Sequence, residues 1–549
     1  MKLADLPNRA LRAGALIAIA GSAMLASQAA AQAPQGGTQA RTSVHPYLEV
    51  QQVVSADFNG GGEVLTYTSV GAGIDASVST RKVHATVNYN YQHYFSWKKG
   101  SRDSDSHEGL AAARLEVIPG AVAIDAGALA TRSHGDSRNA GSGVPSGSGN
   151  ANIYSIYAGP SLSTRAGPVT VAASYHLGYV KVDDNDIARS VAGQPRVDRY
   201  TSSTVHQADV SVGMAPGEAP FGWTVAGGWS HEDMNRFKSR YDGKYARADV
   251  VVPVSPYLAA TGGVGYETIK ASQQDIQRDS AGLPVVTAAG DVVADPSKPR
   301  LSTYDQDGII WDGGLIWRPS PRTEVQGRFG RRYGSNTYTA SLRQQLSRNY
   351  SLGAFVYDNV SSFGRLLISD LNSVPRNFNT RHNPTMTGIG PGGCIFGSQA
   401  GTGTCFNDAL QSVANFNFRN RGATAVVSGS RGPWSFDLGA GYASRHYFAP
   451  PDAAFALRGV TDKSVTLDAV ASRQLGNNSG YDIEAFGGWY DSGIAGDDSS
   501  FSSGLTLSYY RSLMGDHLQG NVSAGLYNSN AGTDNGTAGS LQLGLRYTF

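Results

Sequence analysis

The side chains with the most chemistry to offer in this sequence are five arginines and four acids. Arg328, Arg332, Arg343, Arg419 and Arg421 fall on the polar phase of alternating segments. Asp437, Asp468, Asp482 and Glu484 do the same in the segments that follow. If each polar phase lines a lumen, a basic wall stands beside an acidic wall, and the field between them would orient and screen polar solutes. The alternative is that these charges pair and stiffen the frame, since a charge avoids lipid only by pointing inward. Cys394 and Cys405 share one irregular stretch. In an oxidising compartment they are expected to pair and staple a loop, worth roughly 2–3 kcal/mol by loop-closure entropy. Two thiols alone do not make a zinc site. The sequence carries no G-x-S-x-G elbow, H-E-x-x-H, Walker A or C-x-x-C motif, so no catalytic residue, metal ligand or cofactor is expected and the chain does not read as an enzyme.

The elements that would position these charges are strands. The chain ends Leu541-Gln-Leu-Gly-Leu-Arg-Tyr-Thr-Phe549, with apolar residues on every second position up to a terminal aromatic. That is period two, the mark of a strand with one apolar face. Such an ending looks like the signal read by outer-membrane barrel-assembly machinery, with Tyr547 and Phe549 as its aromatic positions. At the other end Lys2, Arg9 and Arg12 precede an apolar run over 13–26, and small residues offer cleavage after Ala31 or Ala33. Residues 1–33 therefore read as a secretory signal, too short to span as a helix. Residues 34–44 read as a short periplasmic lead, and 45–549 as one barrel.

Between those ends the segments beginning at Val83, Val169 and Trp434 alternate over nine to eleven residues, the length a tilted strand needs to cross a bilayer. Short connections near 79–82, 119–121, 165–168, 253–256, 318–323, 347–350, 431–433, 476–480 and 514–517, with a slightly longer one near 215–222, interleave with long ones. The expected fold is all-β: a transmembrane, antiparallel, up-and-down β-barrel of about 22 strands, within 18–26, the weak crossings being near 235–250 and 334–350. With about ten residues between signal and first strand, no N-terminal plug is expected. Charged residues are 16% of the chain, below the roughly 25% of soluble domains. The signal carries +2, so the remainder is −1 against +1 for the whole. That near-neutral balance argues against nucleic acid as a partner.

The longest connection, 361–415, contains Gly364-Arg-Leu-Leu-Ile-Ser-Asp-Leu-Asn-Ser-Val374, which reads as a short helix ended by Pro375. Leu366, Leu367 and Leu371 form its apolar face. A loop of this length either enters the pore as a gate or caps it from outside. Tyr91, Tyr94, Phe95, Trp97, Trp311 and Trp317 sit near strand ends, as interfacial girdles or as sugar-stacking platforms. The Asp183-Asp-Asn-Asp186 run is a solvated loop or a cation site bridging lipopolysaccharide.

Four segments carry a family resemblance: His45-Pro-Tyr-Leu-Glu-Val-Gln-Gln-Val-Val-Ser-Ala56, Ile153-Tyr-Ser-Ile-Tyr-Ala-Gly-Pro-Ser161, Gly308-Ile-Ile-Trp-Asp-Gly-Gly-Leu-Ile-Trp-Arg-Pro319 and Gly330-Arg-Arg-Tyr-Gly334. They resemble outer-membrane barrels of sphingomonad-type alphaproteobacteria, some of which bear the label preprotein translocase subunit YajC. More distantly they resemble PEP-CTERM-system-associated barrels found with exopolysaccharide genes. The label belongs to a small inner-membrane protein with one spanning helix, a size and an element absent here. The resemblance implies a bacterial outer-membrane channel, with exopolysaccharide export as one role; a general diffusion porin and a structural or assembly barrel closed by its loops are the alternatives. The expected partners are outer-membrane lipid and lipopolysaccharide, the barrel-assembly machinery, and a polysaccharide substrate.

Overall fold

Alternating side chains over thirteen to seventeen residues make most of the wall, and their ladders close on themselves. The computed structural model describes residues 41–59, 64–97, 103–134, 150–183, 200–287, 292–379, 394–397, 403–410, 413, 415–450, 459–476, 478–494, 498–515, 517–531 and 534–549. The main sheet has 22 strands, each antiparallel to its neighbours in chain order. The first strand, Arg41–Asp57, pairs with the last, Asp534–Thr548, over Tyr47↔Thr548 to Asp57↔Ala538. Phe549 N–H donates to Pro46 O at 3.0 Å and finishes the seam. Closure leaves no sheet edge, which is how strands can sit in hydrocarbon with their backbone groups satisfied.

The short turns lie where the alternation breaks in the sequence, all ten on the side of the chain ends. Gly167 (φ 61°) and Gly432 (φ 60°) supply the left-handed backbone that two of them require. The weak crossings are strands Arg240–Ser255 and Ser335–Gln345, entered through short outer connections. One is the two-residue turn Tyr333-Gly334, with φ of 55° and 72°. Strands run from 10 residues (Thr323–Arg332) to 20 (Leu301–Ser320), so several exceed a bilayer crossing and continue outward. The first strand already begins at Arg41. The proposed leader and its cleavage sites lie outside the described residues.

Alternation sorts the two faces. Leu541, Leu543, Leu545, Tyr547 and Phe549 are exposed on the outside, whereas Gln542 between them is buried inside. Trp97, Phe95, Trp311 and Trp317 also face outward. Tyr94 does not: it is buried on the inner face, edge-on to Tyr67 at 5.6 Å. No helix among the described residues is long and apolar enough to cross a membrane; the strands do the crossing.

Candidate functional site

The wall leaves Ser361 at its outer end and the chain turns at once into the lumen. Ser362 caps the helix Phe363–Ser373: its Oγ accepts the Arg365 N–H at 3.3 Å and donates to the Glu232 carboxylate on strand Gly222–Met234. Arg365 lies over the Tyr241 ring, 3.3 Å from its centroid, with Nε 3.6 Å from Glu232. The helix then crosses the inner face of successive strands through glycine gaps. Gly364 fits against Glu232, Ser203 and Tyr200, Ile368 against Gly178, and Leu371 against Gly127. At Gly178 a Cβ would stand 2.6 Å from Ile368 Cδ1.

Those strands oppose the loop's own point of departure, so the loop spans the barrel. Phe363, Leu366, Leu367, Ile368 and Leu371 join Leu110, Leu129, Ile153, Tyr157, Val180 and Val205 of the wall in one apolar core. At about 2 kcal/mol per buried large apolar side chain, five such residues oppose withdrawal by on the order of 10 kcal/mol.

Past Pro375 the loop nearly reaches the far end. Arg376 Nη2 donates to Asp125 Oδ1 at 2.7 Å, and Thr86 Oγ1 donates to Arg376 O at 2.6 Å. Asp125 and Thr86 are each the fourth residue of a strand counted from its periplasmic turn, in Val122–His134 and Val83–Ser96. Asp125 also accepts from Arg114 and Ser161. The chain returns through a small sheet of Phe378–Asn379, Cys394–Gly397 and Gly403–Cys405. Cys394 and Cys405 form a disulfide, which lies over the inner face at Gly439. The described residues of the loop therefore occupy the pore.

The arginines sort differently from a single basic wall. Arg328 and Arg247 grip Asp249 and Asp312 in a bridged quartet of contacts at 2.6–2.8 Å. Arg332 pairs with Glu267 and stacks 4.8 Å from the Tyr333 centroid. Arg419 and Arg421 both bind Asp358. The register corrects the placement of these last two. They alternate with Phe418 and Asn420, whose side carries Val426 and Gly439 against the lumenal loop, so they leave on the opposite face. The reason is that Tyr350–Ser361 pairs with Ser335–Gln345 only up to Ala340↔Val356. Beyond that its top separates from the hairpin, and Arg419 meets Ser335 and Asn336 in the gap. Arg343 faces inward in register with Glu324, whose carboxylate is held by Arg318 at 3.0 Å. Sequence reasoning missed Asp249, Asp312, Glu267 and Asp358. Asp249, Asp312 and Glu267 lie on the lumenal polar phase and Asp358 on the opposite phase with Arg419 and Arg421, and only the register says which of them meets an arginine.

The four acids fall on three adjacent strands, Trp434–Phe448, Thr461–Gln474 and Ser479–Asp491. Asp437 and Glu484 flank Val470 in one row, Asp468 is buried beside them, and Asp482 accepts from Ser472 Oγ. Among the described residues no group of three or more His, Cys, Asp or Glu is arranged to hold a metal ion. Asp183 pairs with Lys181 at 2.7 Å, and 184–186 lie outside the described residues.

The remaining arc of the lumen is polar. Asn90 and Gln92 donate to Glu49 at 2.7 Å, Asn90 donates to Tyr47, and Arg546 pairs with Asp75 while lying 3.3 Å from the Tyr47 centroid.

An even-stranded closed barrel with an apolar outer belt, aromatic ends and a polar, loop-filled interior belongs to one membrane. The chain is a bacterial outer-membrane β-barrel. No protein-family model matches it, and no curated protein does. Among solved structures it is similar to the FrpB iron transporter from Neisseria meningitidis (F5-1 variant, apoprotein form), at 11% identity and a TM-score of 0.46, covering 92% of this chain and 81% of that one. It is also similar to the ferric-catecholate import receptor Fiu from E. coli K12 in its open form, at 8% identity and a TM-score of 0.44, with 92% and 81% covered. A third is BauA, the ferric preacinetobactin receptor from Acinetobacter baumannii, at 10% identity and a TM-score of 0.44, with 93% and 81% covered.

Proposed function

We propose that this barrel is a gated outer-membrane channel, with residues 362–416 as the gate. The observation that carries the reading is the path of the loop, from Glu232 near the outer rim to Asp125 and Thr86 near the periplasmic turns. A barrel of this strand number is too wide to be filled by its own wall side chains, so whatever crosses it is controlled by what lies inside. The polar arc around Tyr47, Glu49, Asn90, Gln92 and Arg546 suits a hydroxyl-rich cargo, which agrees with the exopolysaccharide role that the sequence resemblance implies. Opening has to offset the apolar burial of the helix, so the cargo or a periplasmic partner supplies that work.

The same apolar core favours a second reading, a barrel whose loop never leaves and whose role is structural. The two separate when the helix is tied to the wall. Cysteines replacing Gly178 and Ile368 would be adjacent across the helix–wall contact. A gate so tied should lose polymer output in the oxidised cell and regain it on reduction, with the parent strain unaffected. Unchanged output with the crosslink formed supports the structural reading.

A further inference from the structure

Where the top of Tyr350–Ser361 separates from its neighbour, a small cavity opens over the ion-paired arginines. It is bounded by Arg247, Asp312, Arg328, Arg332, Thr337, Thr339 and Asp358. Its volume is about 30 Å³, room for one or two water-sized species. Arg328 is 8% exposed, and its Nη1 is used up on Asp249 and Asp312. Its Nε and Nη2 are buried and meet no acceptor among the described residues. Two guanidinium donors buried without an acceptor leave their desolvation uncompensated, and the cost is greater for a charged group than for a neutral one. The surrounding charge points the same way. Arg247 and Arg328 balance Asp249 and Asp312, and Arg332 balances Glu267, but Arg419 and Arg421 share the single carboxylate of Asp358. One positive charge is left over among these paired groups; Arg331, which also borders the cavity, is exposed to solvent.

We propose that this cavity binds one small monovalent anion, held by the free Nε–H and Nη2–H of Arg328. A group accepting two hydrogen bonds and carrying one negative charge satisfies the donors and cancels the excess at once. Chloride meets the size; a carboxylate on a cargo chain offers the same chemistry, though its carbon skeleton would have to reach between the two layers. The inference is independent of the gating reading, because it rests on wall residues and leaves the loop where it is.

The test uses the whole refolded barrel crystallised in sodium bromide. A bromide anomalous peak within hydrogen-bond reach of Arg328 Nε and Nη2 is expected. Water density at that position with bromide bound elsewhere in the lumen overturns the proposal. Melting in sodium chloride against sodium gluconate, at equal ionic strength, gives a second reading on wild type. A higher Tm by several degrees in chloride is expected, and equal values count against the site. Arg328→Lys keeps the charge but removes both donors, so it should abolish that difference. Added acetate distinguishes the source: competition with bromide admits a carboxylate, and none restricts the site to halide.

Discussion

Arg376, fourteen residues past the cap Ser362, forms an ion pair with Asp125 at 2.7 Å, close to the periplasmic end of the barrel. A segment that starts at the outer rim is thus tied down at the opposite mouth. Asp125→Asn leaves Arg376 and Arg114 without their carboxylate while keeping the bond from Ser161. We expect an assembled barrel with more frequent brief openings in planar bilayers, and a Tm a few degrees lower. Silent recordings identical to wild type would show that the tip does not hold the loop.

The helix seat tests packing directly. Gly178→Leu places a side chain where Ile368 stands, and overpacking of this kind costs about 1–3 kcal/mol. The variant should show raised conductance from a displaced helix. Adding Ile368→Ala should return conductance toward wild type, because the added and removed volumes offset. If the double variant is leakier than the single one, the contact is not the seat.

Severing the disulfide should do little by comparison. The Cys394–Cys405 bond closes a short ring in the returning arm, downstream of the helix. Cys394→Ser with Cys405→Ser should lower stability by about 2–3 kcal/mol on the loop-closure argument, with conductance changed far less than by Gly178→Leu. The measurement is conductance and melting of the same preparation.

At the seam, Phe549 is exposed on the outer face, with its ring 5.1 Å from that of Tyr547. Phe549→Asp would cost about 0–1 kcal/mol at the interface, too little to unfold a closed barrel. A large drop in heat-modifiable barrel in the outer membrane is nevertheless expected, reflecting lost recognition by the assembly machinery. Normal levels would remove that role from the terminal residue.

Period two made the strands and short turns legible, because a half-lipid wall must alternate. Pro375 and the leucines of 364–374 made the helix legible for the same kind of reason. The charge partners were not legible. Arg328 meets Asp249 from 79 positions away, and Arg332 meets Glu267 from 65. Such pairings depend on register, which alternation does not set. The face of Arg419 and Arg421 is not legible either, because Phe418, Asn420 and Gly422 mix large, polar and small residues and leave the phase ambiguous. The docking arc did leave a signal. Leu110, Ala112, Leu129, Ile153, Val180 and Val182 are apolar on the inner phase too, so those strands are apolar on both sides. A lumen face that is not polar needs something to cover it.

The most direct test of the gate is single-channel conductance after excising residues 364–407 and bridging the gap with a short Gly-Ser linker. With the helix, tip and stapled sheet gone, conductance should rise several-fold over the intact barrel at the same salt. An excised barrel that conducts no better than the intact one would contradict the account, since the loop would then not be what closes the lumen.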